Sequence, residues 1–205
     1  MEYLNVNPVA SIIFVFTVVT SIYAFNDSSL FGKFMLHPYS VSRRHKVYTL
    51  ITSGLIHADW MHLIFNMITF LSFGFPLERA IGSWQFGLIY LIGLILSDIP
   101  TVIKHKNDMW YNSLGASGAV SAVLFSSILL APFSSLYIFP IPFPIWSIIF
   151  GPLYLTYCVY ASRQSRDNIN HDAHFFGALT GLIVTVIIVP GVIPNFLNQL
   201  ILKIG

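Results

Sequence analysis

Three groups of polar residues could carry chemistry in an otherwise apolar sequence. The first is Ser117, the second is His174, and the third consists of His57, His62 and Asn66. A serine hydroxyl becomes a nucleophile when a neighbouring base removes its proton, and imidazole is the usual base near neutral pH. Ser117 and His174 are therefore candidates for a nucleophile and its general base.

Each polar group stands at the start of a long apolar segment. Six such segments are predicted, at about residues 9–25, 60–77, 83–102, 117–131, 144–162 and 172–190. In a chain that crosses a membrane six times, the second, fourth and sixth segments run in the same direction. Their starts share one side of the membrane, so the three polar groups can converge although they are far apart in sequence.

The composition indicates a membrane protein. Of the 205 residues, 56% are hydrophobic and only 9% are charged, and the mean hydropathy is +0.75. We predict a single membrane domain over residues 1–205, with no cofactor and no metal, because the histidines are too scattered for a zinc site. The net charge of +2 and the lack of a Lys/Arg block argue against nucleic acid as a partner. Cys158, the one cysteine, is expected to be a packing residue.

The length of the fourth segment predicts that its serine lies below the membrane surface. From Ser117 to Leu130 a helix spans about 21 Å, less than a hydrocarbon core of about 30 Å. A segment that starts at His174 is similarly short, at about 24 Å. Polar side chains at that depth need internal partners or water, which predicts a cavity open to one face.

His62 and Asn66 are four residues apart, so both side chains lie on one face of the predicted helix. From that face they could donate hydrogen bonds to an oxyanion formed at Ser117, together with the backbone N–H of the serine. The dipole at the amino end of a helix favours the same negative charge. We therefore predict an oxyanion site made by His62 and Asn66.

Four glycines are expected to control the approach of the reacting groups. Gly115 and Gly118 allow the backbone a tight turn at the start of a helix, and Gly177 and Gly181 form a face on which another helix can pack closely. Such packing would bring the histidine to the serine. Asp172 is expected to help cap its helix rather than to orient the histidine, which predicts a dyad instead of a triad.

From about residue 47 to residue 190, the sequence resembles the rhomboid family of intramembrane serine proteases. The motifs that carry the resemblance are His57, His62 and Asn66 with their spacing, Gly-x-Ser-Gly at Gly115 to Gly118, Ala-His-x-x-Gly-x-x-x-Gly at Ala173 to Gly181, and a short turn at Glu78 and Gly82. The resemblance implies an all-α polytopic membrane protein with a six-transmembrane-helix bundle. It also implies these site residues: Ser117 as nucleophile, His174 as general base, His62 and Asn66 as oxyanion-hole side chains, and His57 as part of the architecture of the site.

The sequence departs from the family pattern at two places. Tyr48-Thr49 stands where the family has a Trp-Arg pair in the first loop, and Ser121 stands four residues after the serine, where an aromatic residue often stacks under the catalytic histidine. The first departure concerns the packing of the loop. The second concerns the support of His174 and leaves both reacting groups present.

Two functions of different classes remain open. One is a serine endopeptidase that cleaves peptide bonds in or near transmembrane segments of other membrane proteins, with those substrates and the lipid bilayer as partners. The other is a catalytically silent rhomboid-like scaffold that binds membrane helices. Silent relatives typically lack the serine or the histidine, so the presence of both favours the enzyme. A channel or transporter is less favoured, since only Asp98 marks an ion path within a span.

Charge and family give conflicting predictions for orientation. If the amino terminus is inside, eight of the ten Lys/Arg residues lie in outer loops, namely Lys33, Arg43, Arg44, Lys46, Lys104, Lys106, Arg163 and Arg166. The positive-inside rule favours the inverted arrangement. The family resemblance implies that the site opens to the extracytoplasmic side, and we follow it in predicting a multi-pass protein of a bacterial plasma membrane.

Overall fold

The computed structural model describes residues 6–138, 141–164, 167 and 169–204. In chain order its helices are α1 (Pro8–Asn26), α2 (Ser28–Phe34), α3 (Pro38–Val41), α4 (Thr49–Thr52), α5 (Trp60–Ile81), α6 (Ser83–His105), α7 (Ser117–Leu130), α8 (Ser147–Gln164), α9 (His171–Ile188) and α10 (Val192–Ile204). A 3₁₀ turn, Ser53–Leu55, follows α4. Strands β1 (Ser135–Leu136) and β2 (Ile145–Trp146) pair in an antiparallel hairpin between α7 and α8. Arg166 of the charge count lies outside the described residues.

The prediction of an all-α polytopic membrane protein is confirmed. α1, α5, α6 and α9 are each long and apolar enough to cross a membrane. They expose large apolar side chains such as Val15 and Ile187, as a surface in contact with lipid requires. α7 has only 14 residues and lies at the centre, where eleven of them are buried.

The predicted segments agree with the six long helices apart from their ends. α5 and α6 run four and three residues beyond the predicted ends, to Ile81 and His105. α8 begins three residues later than predicted, at Ser147. The reason is the hairpin, in which Ile145 and Trp146 pair with β1 instead of starting the helix.

Small residues let α6 and α9 approach α7 very closely. A Cβ on Gly93 of α6 would stand 2.5 Å from the Cβ of Ala122. A Cβ on Gly177 or Gly181 of α9 would overlap the carbonyl oxygen of Gly118 or Ala122, respectively. The helix that begins with Ser117 is therefore held between two neighbours at backbone contact distance.

The carboxyl end of α7 is closed by the segments that follow it. Gln199 of α10 donates a side-chain hydrogen bond to the carbonyl oxygen of Leu130, at 2.8 Å. The Ser147 hydroxyl lies 2.8 Å from the carbonyl oxygens of both Ala131 and Pro132. These contacts satisfy carbonyl groups that the end of a helix leaves without partners.

A buried carboxylate ties α1 to the bundle. Glu78 of α5 is only 1% exposed, and it accepts hydrogen bonds from the backbone N–H groups of Val9 (3.1 Å) and Ala10 (2.7 Å). An anion at the amino end of a helix is favoured by the unpaired N–H groups there. The turn that follows α5 needs glycine, because Gly82 has a φ of 92°.

Candidate active site

The nucleophile candidate is the first residue of α7 and follows a turn that requires glycine. Gly115 has a φ of 114°, and its backbone N–H donates to the carbonyl oxygen of Ser53 at 2.9 Å. A Cβ on Gly115 would stand 2.8 Å from Nε2 of His62. Conformation and space therefore both exclude a side chain at this position, and the turn brings half-buried Ser117 next to the α5 histidine.

His174 lies in the first turn of α9, whose start is fixed by Asn170. The Asn170 side chain accepts a hydrogen bond from the backbone N–H of Ala173 (3.0 Å) and donates to Thr101 of α6 (2.9 Å). The expectation that Asp172 caps this helix is wrong, because Asn170 occupies the position from which a side chain reaches the third helical N–H. The cap also connects the start of α9 to α6.

Asp172 joins three helix ends at the mouth of the site. Its carboxylate forms an ion pair with Lys104 of α6 at 2.6 Å and accepts a hydrogen bond from the Ser162 hydroxyl of α8. Both carboxylate oxygens are therefore engaged by residues of α6 and α8. Ion pairs that are partly exposed contribute little individually, but this one and the Ser162 hydrogen bond together connect the start of α9 to two neighbouring helices.

The tautomer of His62 follows from its hydrogen bond. The backbone N–H of Ala58 donates to Nδ1 of His62 at 3.4 Å, so the ring proton is assigned to Nε2. Nε2 and the neighbouring Cε1 are the ring atoms that lie closest to the Gly115 turn. Asn66 uses one of its amide hydrogens on the carbonyl oxygen of His62, at 2.9 Å, which leaves its second hydrogen for a ligand. Each side chain thus has an N–H donor that no described residue uses.

His57 lies behind this site and is fully buried. Ser21 of α1 donates to the carbonyl oxygen of Leu55, so the 3.0 Å contact between Ser21 Oγ and His57 Nδ1 places a proton on Nδ1. The His57 and His62 rings are 4.9 Å apart, at 74°. Burial, reinforced by His62, lowers the pKa of His57 to about 3. An imidazole that is neutral near neutral pH therefore supports the start of α5 and connects it to α1.

One cavity of about 930 Å³ brings the predicted reacting groups together. Its lining includes Ser117, His174, His62 and Asn66, and His57 is not part of that lining. The residues next to Ser117 and His174 bring their two helices together: a Cβ on Gly118 would stand 3.5 Å from the carbonyl oxygen of Ala173 and would overlap Ser97. No hydrogen bond joins Ser117 to His174 among the described residues, and catalytic hydrogen bonds often tighten only when substrate is bound.

The rings of Tyr154 and His171 lie beside His174, and no sequence motif points to Tyr154. The ring of Tyr154 on α8 is stacked at 6.4 Å and 13°. His171 presents its ring at 5.9 Å and 79°. His171 is buried, and its Nε2 lies 3.2 Å from the Asp167 carboxylate. The described residues contain no group of three acidic, histidine or cysteine side chains that could hold a metal ion.

Comparison of the sequence with known proteins identifies the family of this chain. Residues 44–191 match the family model described as "Rhomboid domain". The chain belongs to the rhomboid family. It is 28% identical to "RHOMBOID-like protein 12, mitochondrial" of Arabidopsis thaliana over 171 residues, which are 74% of this chain and 50% of that protein. It is 30% identical to "Putative rhomboid protease YdcA" of Bacillus subtilis over 144 residues, which are 68% of this chain and 66% of that protein.

A third relative is "Rhomboid-related protein 1" of Caenorhabditis elegans, 26% identical over 71% of this chain and 41% of that protein. The chain thus spans about half the length of the first relatives it matches. Membership of the family and the four apolar spans identify an integral membrane protein with several membrane segments. The relatives include mitochondrial and bacterial proteins, so they do not assign a membrane.

Proposed function

We propose that this rhomboid protein is an intramembrane serine endopeptidase that cleaves peptide bonds in or near transmembrane segments of other membrane proteins. The observation that carries the proposal is the cavity in which Ser117, His174, His62 and Asn66 meet. These residues come from the starts of α5, α7 and α9, which only the fold brings together. A nucleophile, a base and two oxyanion donors are the groups that acyl transfer requires.

In the proposed mechanism, Ser117 Oγ attacks the carbonyl carbon of the scissile bond while its proton moves to His174. The tetrahedral oxyanion accepts hydrogen bonds from Nε2 of His62, from Asn66 and from the backbone N–H of Ser117. His174 then gives its proton to the leaving amine and later takes one from the water that hydrolyses the acyl-enzyme. The start of α7 adds favourable helix-dipole potential at the oxyanion.

Water and substrate would reach the site by different routes. The cavity is lined at its mouth by polar side chains such as Lys104, Asn112 and Asp172, which suits an aqueous opening. The substrate is a membrane helix and approaches from the lipid. We propose that the opening faces the extracytoplasmic side of a bacterial plasma membrane, with the charge count as the opposing argument. Thiol labelling of single cysteines at Lys106 and Gln164, with Cys158 replaced by Ala, tests this orientation.

The alternative is a silent scaffold that binds membrane helices without cleaving them. The decisive experiment uses purified protein in lipid vesicles with a model single-span substrate. We expect cleavage by the wild type and none by Ser117→Ala or His174→Ala, with a fluorophosphonate reagent labelling the wild type but not Ser117→Ala. Substrate binding with neither cleavage nor labelling would establish the scaffold instead.

A further inference from the structure

The imidazole of His174 is oriented by ring packing rather than by hydrogen bonds. Among the described residues, no hydrogen bond to its ring nitrogens is present, and the Asp172 carboxylate is engaged by Lys104. The ring of Tyr154 lies nearly parallel to it, at 13° and with 6.4 Å between the ring centroids. The ring of His171 meets it at 79°. A free imidazole ring can rotate about its side-chain torsions, so these ring contacts determine where its nitrogens point.

Tyr154 is itself held by the residue that departs from the family pattern. Its hydroxyl lies 3.2 Å from the hydroxyl of Ser121, which is 4% exposed and stands one helical turn after Ser117. Tyr154 also packs against Phe125 and Phe150, at 5.8 and 5.4 Å between ring centroids. The small Ser121 side chain therefore leaves space beside α7, and an aromatic ring from α8 fills that space.

We infer that Tyr154 is a positioning residue for the base His174, supplied by α8 in place of an aromatic residue on α7. The inference rests on the proposed function. Offset-stacked rings at 4.5–7 Å attract each other by about 0.5–1.5 kcal/mol beyond the area they bury. Tyr154 thus favours one orientation of the His174 ring.

The arrangement has a consequence for the fold. The nucleophile belongs to α7, the base to α9, and the residue that supports the base to α8. Helix α8 is therefore required for catalysis although it contributes no reacting group. A tyrosine that served only as apolar filling would not need to be aromatic. Its replacement by Leu would then alter stability without a specific effect on turnover.

The test compares four variants in the vesicle assay. We expect Tyr154→Leu to lower kcat by about ten- to a hundredfold with KM within about threefold, because the base is misplaced while substrate binding remains. Tyr154→Phe keeps the ring and should stay within about threefold of wild-type kcat. The exchange variant, Tyr154→Ser with Ser121→Tyr, returns the aromatic to α7 and should recover at least tenfold over Tyr154→Leu. Tyr160→Leu, which removes an exposed tyrosine of the same helix, is the control and should cleave normally.

A second readout does not depend on cleavage. In the NMR spectrum of histidine-labelled protein in micelles, the His174 ring signal is assigned by its loss in His174→Asn. Tyr154→Leu should move that signal because the ring current of the stacked tyrosine is removed, whereas Tyr160→Leu should leave it in place. An unmoved signal in Tyr154→Leu would overturn the inference even if that variant were poorly active through misfolding.

The outcomes separate this inference from the proposed function. Wild-type kcat in Tyr154→Leu, or equal changes in kcat and KM, would overturn the positioning role while cleavage by the wild type upheld the protease. A wild type that neither cleaves nor reacts with fluorophosphonate would overturn the protease and the positioning role with it. The NMR shift would then report the ring contact alone.

Discussion

Replacing Gly177 by Ala should separate the base from the nucleophile. An ideal Cβ at this position overlaps the carbonyl oxygen of Gly118 and stands 2.9 Å from its carbonyl carbon and 3.0 Å from its Cα. Carbon atoms without a bond between them prefer about 3.5 Å or more. The carbon contacts alone demand a shift of about 0.5 Å, and the oxygen contact demands more, so the expected displacement of α9 from α7 is about 1 Å.

His174 lies three residues before Gly177 on the same helix and moves with it. A misplacement of about 1 Å can cost about a hundredfold in rate, so we expect kcat to fall by about that factor in Gly177→Ala. Overpacking typically costs about 1–3 kcal/mol of folding stability, which a bundle of this size should survive. The rate of fluorophosphonate labelling should fall with kcat, since both depend on activation of the same serine.

The assay measures kcat on a single-span substrate in vesicles, with the thermal unfolding midpoint recorded for each variant. Gly87→Ala is the matched control, because its Cβ would meet Val9 at an ordinary 3.6 Å and alanine is a better helix former than glycine. We expect Gly87→Ala to retain wild-type kcat. If folded Gly177→Ala cleaved within about threefold of the wild type, close approach at this glycine would not determine the geometry of the dyad.

The remaining predictions concern the dyad, the oxyanion site, the buried histidine and the substrate. The double variant Ser117→Ala with His174→Ala should be no less active than either single variant, because each change removes the same step; additive losses would argue against a shared mechanism. Asn66→Ala should lower kcat about ten- to a thousandfold with little change in substrate binding, as measured by steady-state kinetics. Since the pKa of His57 in the folded protein is about 3, the unfolded chain takes up a proton below about pH 6.5 that the folded chain does not. The free energy of unfolding should therefore decrease as the pH is lowered from about 6.5 to about 3, by up to about 1.4 kcal/mol per pH unit. The thermal unfolding midpoint of His57→Gln should depend less on pH over the same range. A helical peptide bond is shielded by its own hydrogen bonds, so adding Gly-Pro to a resistant substrate helix should speed cleavage and replacing such residues by Leu should slow it; equal rates across the series would remove local unwinding from the mechanism.

The sequence predicts the long helices of this protein and the helix ends that form the candidate site. Apolar length predicts the six long helices, and a serine and a histidine at the starts of two of them mark the ends that meet. Both features can be read from the positions of residues along the chain, without knowing how side chains pack. The position of the hairpin before α8 could not be predicted in the same way, because Ile145 and Trp146 are apolar whether they extend a helix or pair as a strand.

The support of His174 could not be predicted from the sequence. Tyr154 is one of 10 tyrosines and stands among 18 phenylalanines, so nothing in its neighbourhood distinguishes it from a residue that faces lipid. The sequence analysis predicted that Asp172 caps α9, although the side chain of Asn170 can also accept a helical N–H. Asn170 holds the cap position, and Asp172 instead pairs with Lys104, a contact between residues that are 68 positions apart.

The number of residues in α7 fixes the direction in which the serine points. Gly115, in the turn before Ser117, is hydrogen-bonded to Ser53, and the carbonyl oxygen of Leu130 is hydrogen-bonded to Gln199. Both ends of α7 are therefore held in place, and a change in its length would break one of these contacts or rotate Ser117. One inserted residue would raise one end of the helix by about 1.5 Å and turn it by about 100° relative to the other, which would aim the hydroxyl away from the base. Insertions that surface loops tolerate should therefore abolish activity anywhere in this helix, whatever residue is inserted.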